Sequence, residues 1–259
     1  MKKLDKLKRI LREYPGAVVA FSGGVDSTFL LRIAKEVLGD RLIAVTVVSP
    51  LQPKSEIRNA VRIARRMKVR HFKCAIDILR EKEVKTNPVN RCYHCKMTLL
   101  RKLKSIAAEH DYVVIEATNK SDLKDHRPGI DAIKRLRVQS PLMLAGFTKG
   151  DIRRAARRHG LSNWNEPSMA CLASRIPYGQ LITVSRLQRV DNAENYLRSI
   201  GFSLVRVRDH FPTARIEVGA SDFKMLISQR KKVVAYLRRS GYKHITLDLA
   251  GYRTGSLNP

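Results

Sequence analysis

The sequence predicts an α/β protein, a doubly wound parallel sheet followed by a smaller C-terminal α+β domain. Two observations carry this expectation. Short apolar runs of strand length alternate with amphipathic stretches of helical length through most of the chain, which is the pattern of repeated βαβ units. Beyond about Tyr178 that rhythm gives way to a helix, two short strands, a second helix and a last strand. The expected division is therefore residues 1–177 and 178–259, with the turn-rich stretch from Pro167 to Gly179 as the seam.

Taken in order, Leu4, Leu7, Ile10 and Leu11 recur at helical spacing and stop at Pro15-Gly16. The apolar run Ala17 to Phe21 is followed by glycines and suits a buried parallel strand. A helical pattern from Ser27 closes at Gly39, and Leu42 to Val48 reads as a second strand. Ser55 is placed to cap a helix running through Met67, and Val69 to Lys73 reads as a third strand, with Cys74 at its end as a core residue. A helix from about Cys95 to Glu109 leads into the strand Tyr112 to Ile115, and Thr148 with Asp151 forms a capping box for a helix ending at Gly160. The last part offers a helix over 185–199, strands over 204–208 and 214–218, a helix over 221–239 and a strand over 244–249.

Charge is the unusual feature of the composition. Lys and Arg number 51 against 23 Asp and Glu, a net charge of +28. Residues 171–259 hold 15 basic and 6 acidic residues, so the excess is spread along the chain and is not a detachable basic arm. Such a field attracts polyanions, among them ATP, phosphorylated small molecules and tRNA. No apolar run reaches the ~18 residues of a membrane span, and the start of the chain has no signal-peptide core, which points to a soluble cytoplasmic protein. Four cysteines are too few for a secreted disulfide framework.

Ser22-Gly23-Gly24-Val25-Asp26-Ser27 lies where the first strand ends and a helix begins. Glycines let the backbone approach an anion, and the N–H groups of a first helical turn point at it. Ser22 and Ser27 add hydroxyl donors, while Asp26 suits a Mg²⁺ bridge to phosphate. The loop lacks the lysine of a Walker A motif, so transfer of a γ-phosphate is not its natural chemistry. Elsewhere, Cys171 stands in a loop rich in Pro, Ser and Gly, beside Ser174 and Arg175. A neighbouring cation lowers a thiol pKa, and an arginine fork binds carboxylate or phosphate. Cys92 and Cys95 form a C-x-x-C pair, a spacing shared by iron–sulfur clusters, redox or persulfide pairs and zinc sites; zinc would want a further ligand such as His94 or His126. Arg206 and Arg208 alternate along one strand and so face one side, with Val205 and Val207 on the other.

The six-residue loop resembles the signature of the PP-loop ATP-pyrophosphatases, the adenine nucleotide alpha hydrolase-like fold, and implies adenylation of a substrate with release of pyrophosphate. Further strings resemble the LarE-type sulfur transferases: Asn90 to Lys96, Asp125 to Gly129, Ser140-Pro141-Leu142, Cys171 to Gly179 and Thr246 to Arg253. That resemblance covers nearly the whole chain. It implies ATP and Mg²⁺ as cofactors and a pyridinium-3,5-biscarboxylate mononucleotide as substrate. The product is a thiocarboxylate on the way to a nickel-pincer cofactor, and the implied assembly is a hexamer. It also implies that Cys171 supplies sulfur, leaving dehydroalanine. In the three-cysteine version of the family, Cys92, Cys95 and Cys171 are implied to hold a [4Fe-4S] cluster instead. Arg206 and Arg208 match positions implied to contact the substrate phosphate. Glu194 and Glu217 match nearby acidic residues with a role in metal handling or oligomerisation. A tRNA 2-thiolation enzyme of the same loop class is the alternative; net charge favours it, and the missing zinc-finger cysteines weigh against it. No domain for an ammonia source is visible, which disfavours an amidotransferase-type synthetase.

Overall fold

The computed structural model describes residues 2–124, 128–166 and 170–253. In chain order the helices and strands are α1 (Lys2–Arg12), β1 (Ala17–Ala20), α2 (Val25–Leu38), β2 (Leu42–Val48), α3 (Lys54–Arg66), β3 (Arg70–Ala75), α4 (Lys82–Lys85), α5 (Arg91–Ala108) and β4 (Val113–Ile115). There follow α6 (Gly129–Arg135), α7 (Pro141–Leu144), α8 (Lys149–Arg158), α9 (Val184–Ser199), β5 (Val205–His210), β6 (Thr213–Val218), α10 (Phe223–Ser228), α11 (Arg230–Arg239) and β7 (His244–Leu247). Contacts gather them into two compact units: Met1–Glu81 with Asn90–Met169, and Lys82–Val89 with Ala170–Pro259.

In the first unit four parallel strands pair in the order β3-β2-β1-β4. Side chains alternate across the pleat, so successive residues of β1 enter different cores. Ala17 and Val19 pack with Leu7 and Leu11 of α1, Phe29 of α2, Ile63 of α3 and Ile152 of α8. Val18 packs on the opposite face with Leu100 and Leu103 of α5 and Ile133 of α6. Strand order reverses at β1, whose neighbours are β2 and β4; in open α/β sheets the crevice beyond the carboxyl ends at such a point is where ligands bind.

The second unit holds a three-stranded sheet, β5-β6-β7, in which β5 and β6 run antiparallel and β6 and β7 parallel. Val205 and Val207 lie in its core with Leu197 of α9 and Leu237 of α11. The contacts divide the chain differently from the rhythm of its elements, for a local reason. Asn87 is fully buried and donates from Nδ2 to the carbonyls of Ile176 and Pro177 (3.2 and 2.8 Å), and Gly179 N–H donates back to Asn87 O. Segment 82–89 is thereby tied to the loop after residue 170.

Several boundaries depart from the sequence reading. Helix α3 starts at Lys54, with Pro53 as its N-cap residue at φ −57° and ψ 135°, so Ser55 lies inside the helix and does not cap it. Helix α5 starts at Arg91, four residues earlier than expected; no helix breaker stands between Arg91 and Cys95, and extending a helix costs far less than nucleating one. The helix expected over 221–239 is two, α10 and α11, parted at Gln229. The capping box is present: Thr148 and Asp151 each bond the other's backbone N–H. Among the described residues no helix is long and apolar enough to cross a membrane.

Candidate active site

The loop from Ser22 to Ser27 leaves β1 at the reversal of strand order and turns into α2. Gly23 has φ +79°, and a Cβ there would sit 3.0 Å from the Cα of Ala60 on α3, so only glycine fits. Ser22 Oγ and Ser27 Oγ lie 3.1 Å apart, and Ser27 Oγ donates to Gly24 O. Thr28 Oγ1 and the buried Asn163 Nδ2 both donate to Gly23 O (3.3 and 2.9 Å), fixing the loop from behind. Val25, Asp26 and Ser27 open α2, so their N–H groups have no carbonyl one helical turn earlier to bond.

These residues line a cavity of about 360 Å³ that also takes in Lys96, Glu116, Thr118 and Lys149. Asp26 Oδ2 receives a hydrogen bond from Lys149 Nζ at 2.9 Å, while Oδ1 is buried with no hydrogen-bond partner among the described residues. Burial pushes the Asp26 carboxyl above its usual range, against the pull of Lys149. An orphaned carboxylate oxygen beside an anion-binding loop fits a hard cation such as Mg²⁺. Glu116, immediately after β4, is buried and takes hydrogen bonds from Ser140 Oγ, Thr118 N and Oγ1, and Lys96 Nζ. Its charge is thus fully engaged, and it holds Lys96 at the cavity wall.

Cys92 and Cys95 stand one helical turn apart in the first turns of α5, on one face. Cys92 is exposed and accepts from Arg91 Nη2 at 3.9 Å; Cys95 is half-buried. Two thiols so spaced fit a soft metal or an iron–sulfur centre as a donor set. Among the described residues no three His, Cys, Asp or Glu side chains gather as a metal site. His94 lies 3.2 Å from Asn90 Nδ2, and His126 falls outside the described residues. Cys74 is half-buried and packs against the core on the α5 face of the sheet.

In the second unit Cys171 is half-buried and precedes a single 3₁₀ turn, Leu172–Arg175. Ser174 Oγ donates to Cys171 O. Arg175 is fully buried, and its expected carboxylate fork is closed on the protein: Nε and Nη2 donate to Glu194 (2.8 and 3.0 Å) and Nη1 to the carbonyls of Ala170 and Cys171. Arg208 is likewise forked on Glu217 (2.9 and 2.7 Å), with Nη1 on Ser174 O. Arg206 is buried too, bonding Val205 O and lying 5.2 Å over the Tyr252 ring. Burial and the nearby Arg175 lower its pKa. Burial pushes Glu194 up, but Arg175, Arg206 and Arg198 outweigh it and hold the carboxyl below its usual range. Arginines outnumber carboxylates in this buried cluster, which suits it to an anion.

The sequence reading singled out the loop and the thiols, named Lys96 only as the end of a string, and passed over Lys149 and Glu116. Glu116 had a signal, an acidic residue ending an apolar strand on the ligand side of the sheet. Lys149 had none, since it lies 123 residues from Asp26.

A family model described as NAD synthase matches residues 3–124. The chain is 36% identical, over 99% of its own length and 94% of the relative's, to a Lactiplantibacillus plantarum protein named pyridinium-3,5-bisthiocarboxylic acid mononucleotide synthase. An uncharacterised protein of Synechocystis is 38% identical over 99% of this chain and 97% of its own length. The glutamine-hydrolyzing GMP synthase of Aeropyrum pernix is 30% identical, over 58% of this chain and 33% of the relative.

Proposed function

As the chain belongs to the family of the pyridinium-3,5-bisthiocarboxylic acid mononucleotide synthases, LarE-type sulfur transferases of the PP-loop class, we propose that it adenylates a carboxylate of a pyridinium biscarboxylate mononucleotide and converts it to a thiocarboxylate. The observation that carries this reading is the glycine loop opening on a cavity that holds the Asp26–Lys149 pair.

A substrate carboxylate oxygen attacks the α-phosphorus of ATP, the bond to the bridging oxygen breaks, and pyrophosphate leaves. The loop's N–H and hydroxyl donors hold the phosphates, Asp26 is the residue that would hold Mg²⁺, and Lys149 and Lys96 offset the charge that develops. A sulfur nucleophile then adds to the acyl carbon and AMP leaves. With Cys171 as donor, loss of its Cα proton and cleavage of Cβ–S release the thiocarboxylate and leave dehydroalanine. Cys92, Cys95 and Cys171 are the residues that would hold a [4Fe-4S] cluster, which would supply an iron able to carry sulfide in place of the cysteine's own sulfur.

Arg175 and Arg208 act as positioning residues, fastening the loop around Cys171 to α9 and β6. Arg206, whose guanidinium is bonded to a carbonyl and not forked on a carboxylate, is assigned to the substrate phosphate, with Arg208 and Glu217 shaping that subsite. The setting is the cytoplasm, in a homo-oligomer.

The test is incubation of anaerobically purified protein with ATP and the biscarboxylate mononucleotide, following nucleotides by chromatography and the product by mass. Substrate-dependent AMP and pyrophosphate with a thiocarboxylate are expected. Release of ADP, or thiouridine formed in tRNA with no thiocarboxylate, would overturn the proposal. Iron and sulfide counts, beside the mass of the Cys171 peptide, distinguish the two sulfur sources.

A further inference from the structure

The proposed reaction uses one anion site in the first unit, yet a second concave cationic site lies there. A groove of about 240 Å³ opens between α2, α3 and the turn after α8, away from the reaction cavity's own lining. Arg32 of α2, Arg66 of α3 and His159 converge on it. Thr28, Ser162 and Asn163 add polar atoms, Ile63 and Met67 give it an apolar floor, and no carboxylate lines it. Glu36, whose ionisation Arg32 and His159 favour, is held by Lys8 at 2.8 Å. Neither arginine has an ion-pair partner among the described residues, and α3 and α8 together carry ten lysines and arginines against two acidic residues, Glu56 and Asp151.

Asn163 links the groove to the reaction loop. It is 1% exposed, its Nδ2 holds Gly23 O and Thr28 Oγ1 at 2.9 Å each, and its Oδ1 has no hydrogen-bond partner among the described residues. One buried amide thus joins the groove's wall to the back of the phosphate loop.

We propose that this groove is a second, non-catalytic binding site for the phosphate group of a small anion, a phosphate monoester or a short polyphosphate. Two guanidinium forks suit phosphate oxygens, and the His159 imidazole and the Ser162 hydroxyl add to a donor set with no acidic competitor. The volume is below that of a site for a drug-sized ligand, which limits the occupant to a phosphate-bearing fragment. The apolar floor accepts a small uncharged body attached to it. The assignment stands on these residues alone and does not depend on which carboxylate the enzyme activates.

The experiment is calorimetric titration of the full chain with tripolyphosphate while the reaction cavity is saturated with Mg²⁺ and a non-hydrolysable ATP analogue. One residual site is expected, weakened at least tenfold in Arg32→Ala/Arg66→Ala. The control Arg58→Ala/Arg62→Ala, which removes two exposed arginines of the same helix outside the groove, should leave it unchanged. Both double variants should retain the circular dichroism of the parent. Absence of residual binding, or equal loss in both variants, would overturn the proposal; equal loss with strong tRNA binding would mark α3 as a general polyanion face instead.

Discussion

Replacing Glu194 with Gln perturbs the buried charge cluster at its centre. The Glu194 side chain is 1% exposed and pairs with Arg175, 0% exposed, and with Arg198, 22% exposed. Removing one partner of a buried pair costs about 3–5 kcal/mol, because the other charge is left uncompensated. The more exposed Arg198 contact adds at most about 1 kcal/mol. Against a typical stability of about 5–15 kcal/mol this is a large fraction. Urea unfolding followed by two probes separates the units, since Trp164 is the only tryptophan and belongs to the first. With a denaturant slope of about 1–3 kcal/mol/M, the transition of the second unit should fall by roughly 2 M, visible in circular dichroism. Trp164 fluorescence should move little. Because the folded Glu194 carboxyl lies below its unfolded value, its contribution is present above about pH 4.3 and is lost as pH falls toward the folded value. The variant should lack that acid-dependent portion. AMP formation should persist while sulfur transfer fails, since Arg175 then no longer fixes the carbonyls of Ala170 and Cys171. An unshifted transition with full sulfur transfer would refute the reasoning.

Other outcomes follow from the same geometry. Gly23→Ala, forced to φ +79° against Ala60, should lose ATP binding and about 1–2 kcal/mol of stability. Gly24→Ala, at φ −70° with its nearest neighbour 3.5 Å away, should retain most of both by thermal melting and ATP titration. Lys149→Met removes the group that holds the Asp26 pKa down, so the carboxylate needed for Mg²⁺ should be lost at a higher pH. The acid limb of the pyrophosphate-release profile should therefore move upward, and an unmoved limb would sever Asp26 from the reaction. Thr148→Ala removes one half of the capping box and should cost about 1 kcal/mol in urea unfolding of the first unit.

Much of this fold was legible from local pattern. Leu42 to Val48 is a strand over its predicted span, because a buried parallel strand leaves an uninterrupted apolar run. Thr148 and Asp151 form their box because capping chemistry needs only residues three apart. The site was legible where it is local, in Ser22 to Ser27. It was hidden where it depends on distant partners: beside Cys171 in sequence Arg175 suits a substrate fork, and Glu194, 19 residues on, occupies that fork in the fold. The break at Gln229 was also silent, since neither glycine nor proline marks it. Alternation along Val205–His210 places Arg206 and Arg208 on one side, yet both are buried, which no periodicity of two could reveal.

The central claim is that one loop drives adenylation while a thiol in the second unit governs sulfur transfer. The most direct measurement compares the parent and Cys171→Ala in a single turnover with ATP and the biscarboxylate mononucleotide, quantifying AMP and thiocarboxylate together. The account predicts AMP from both proteins and thiocarboxylate from the parent alone; undiminished thiocarboxylate from Cys171→Ala would contradict it.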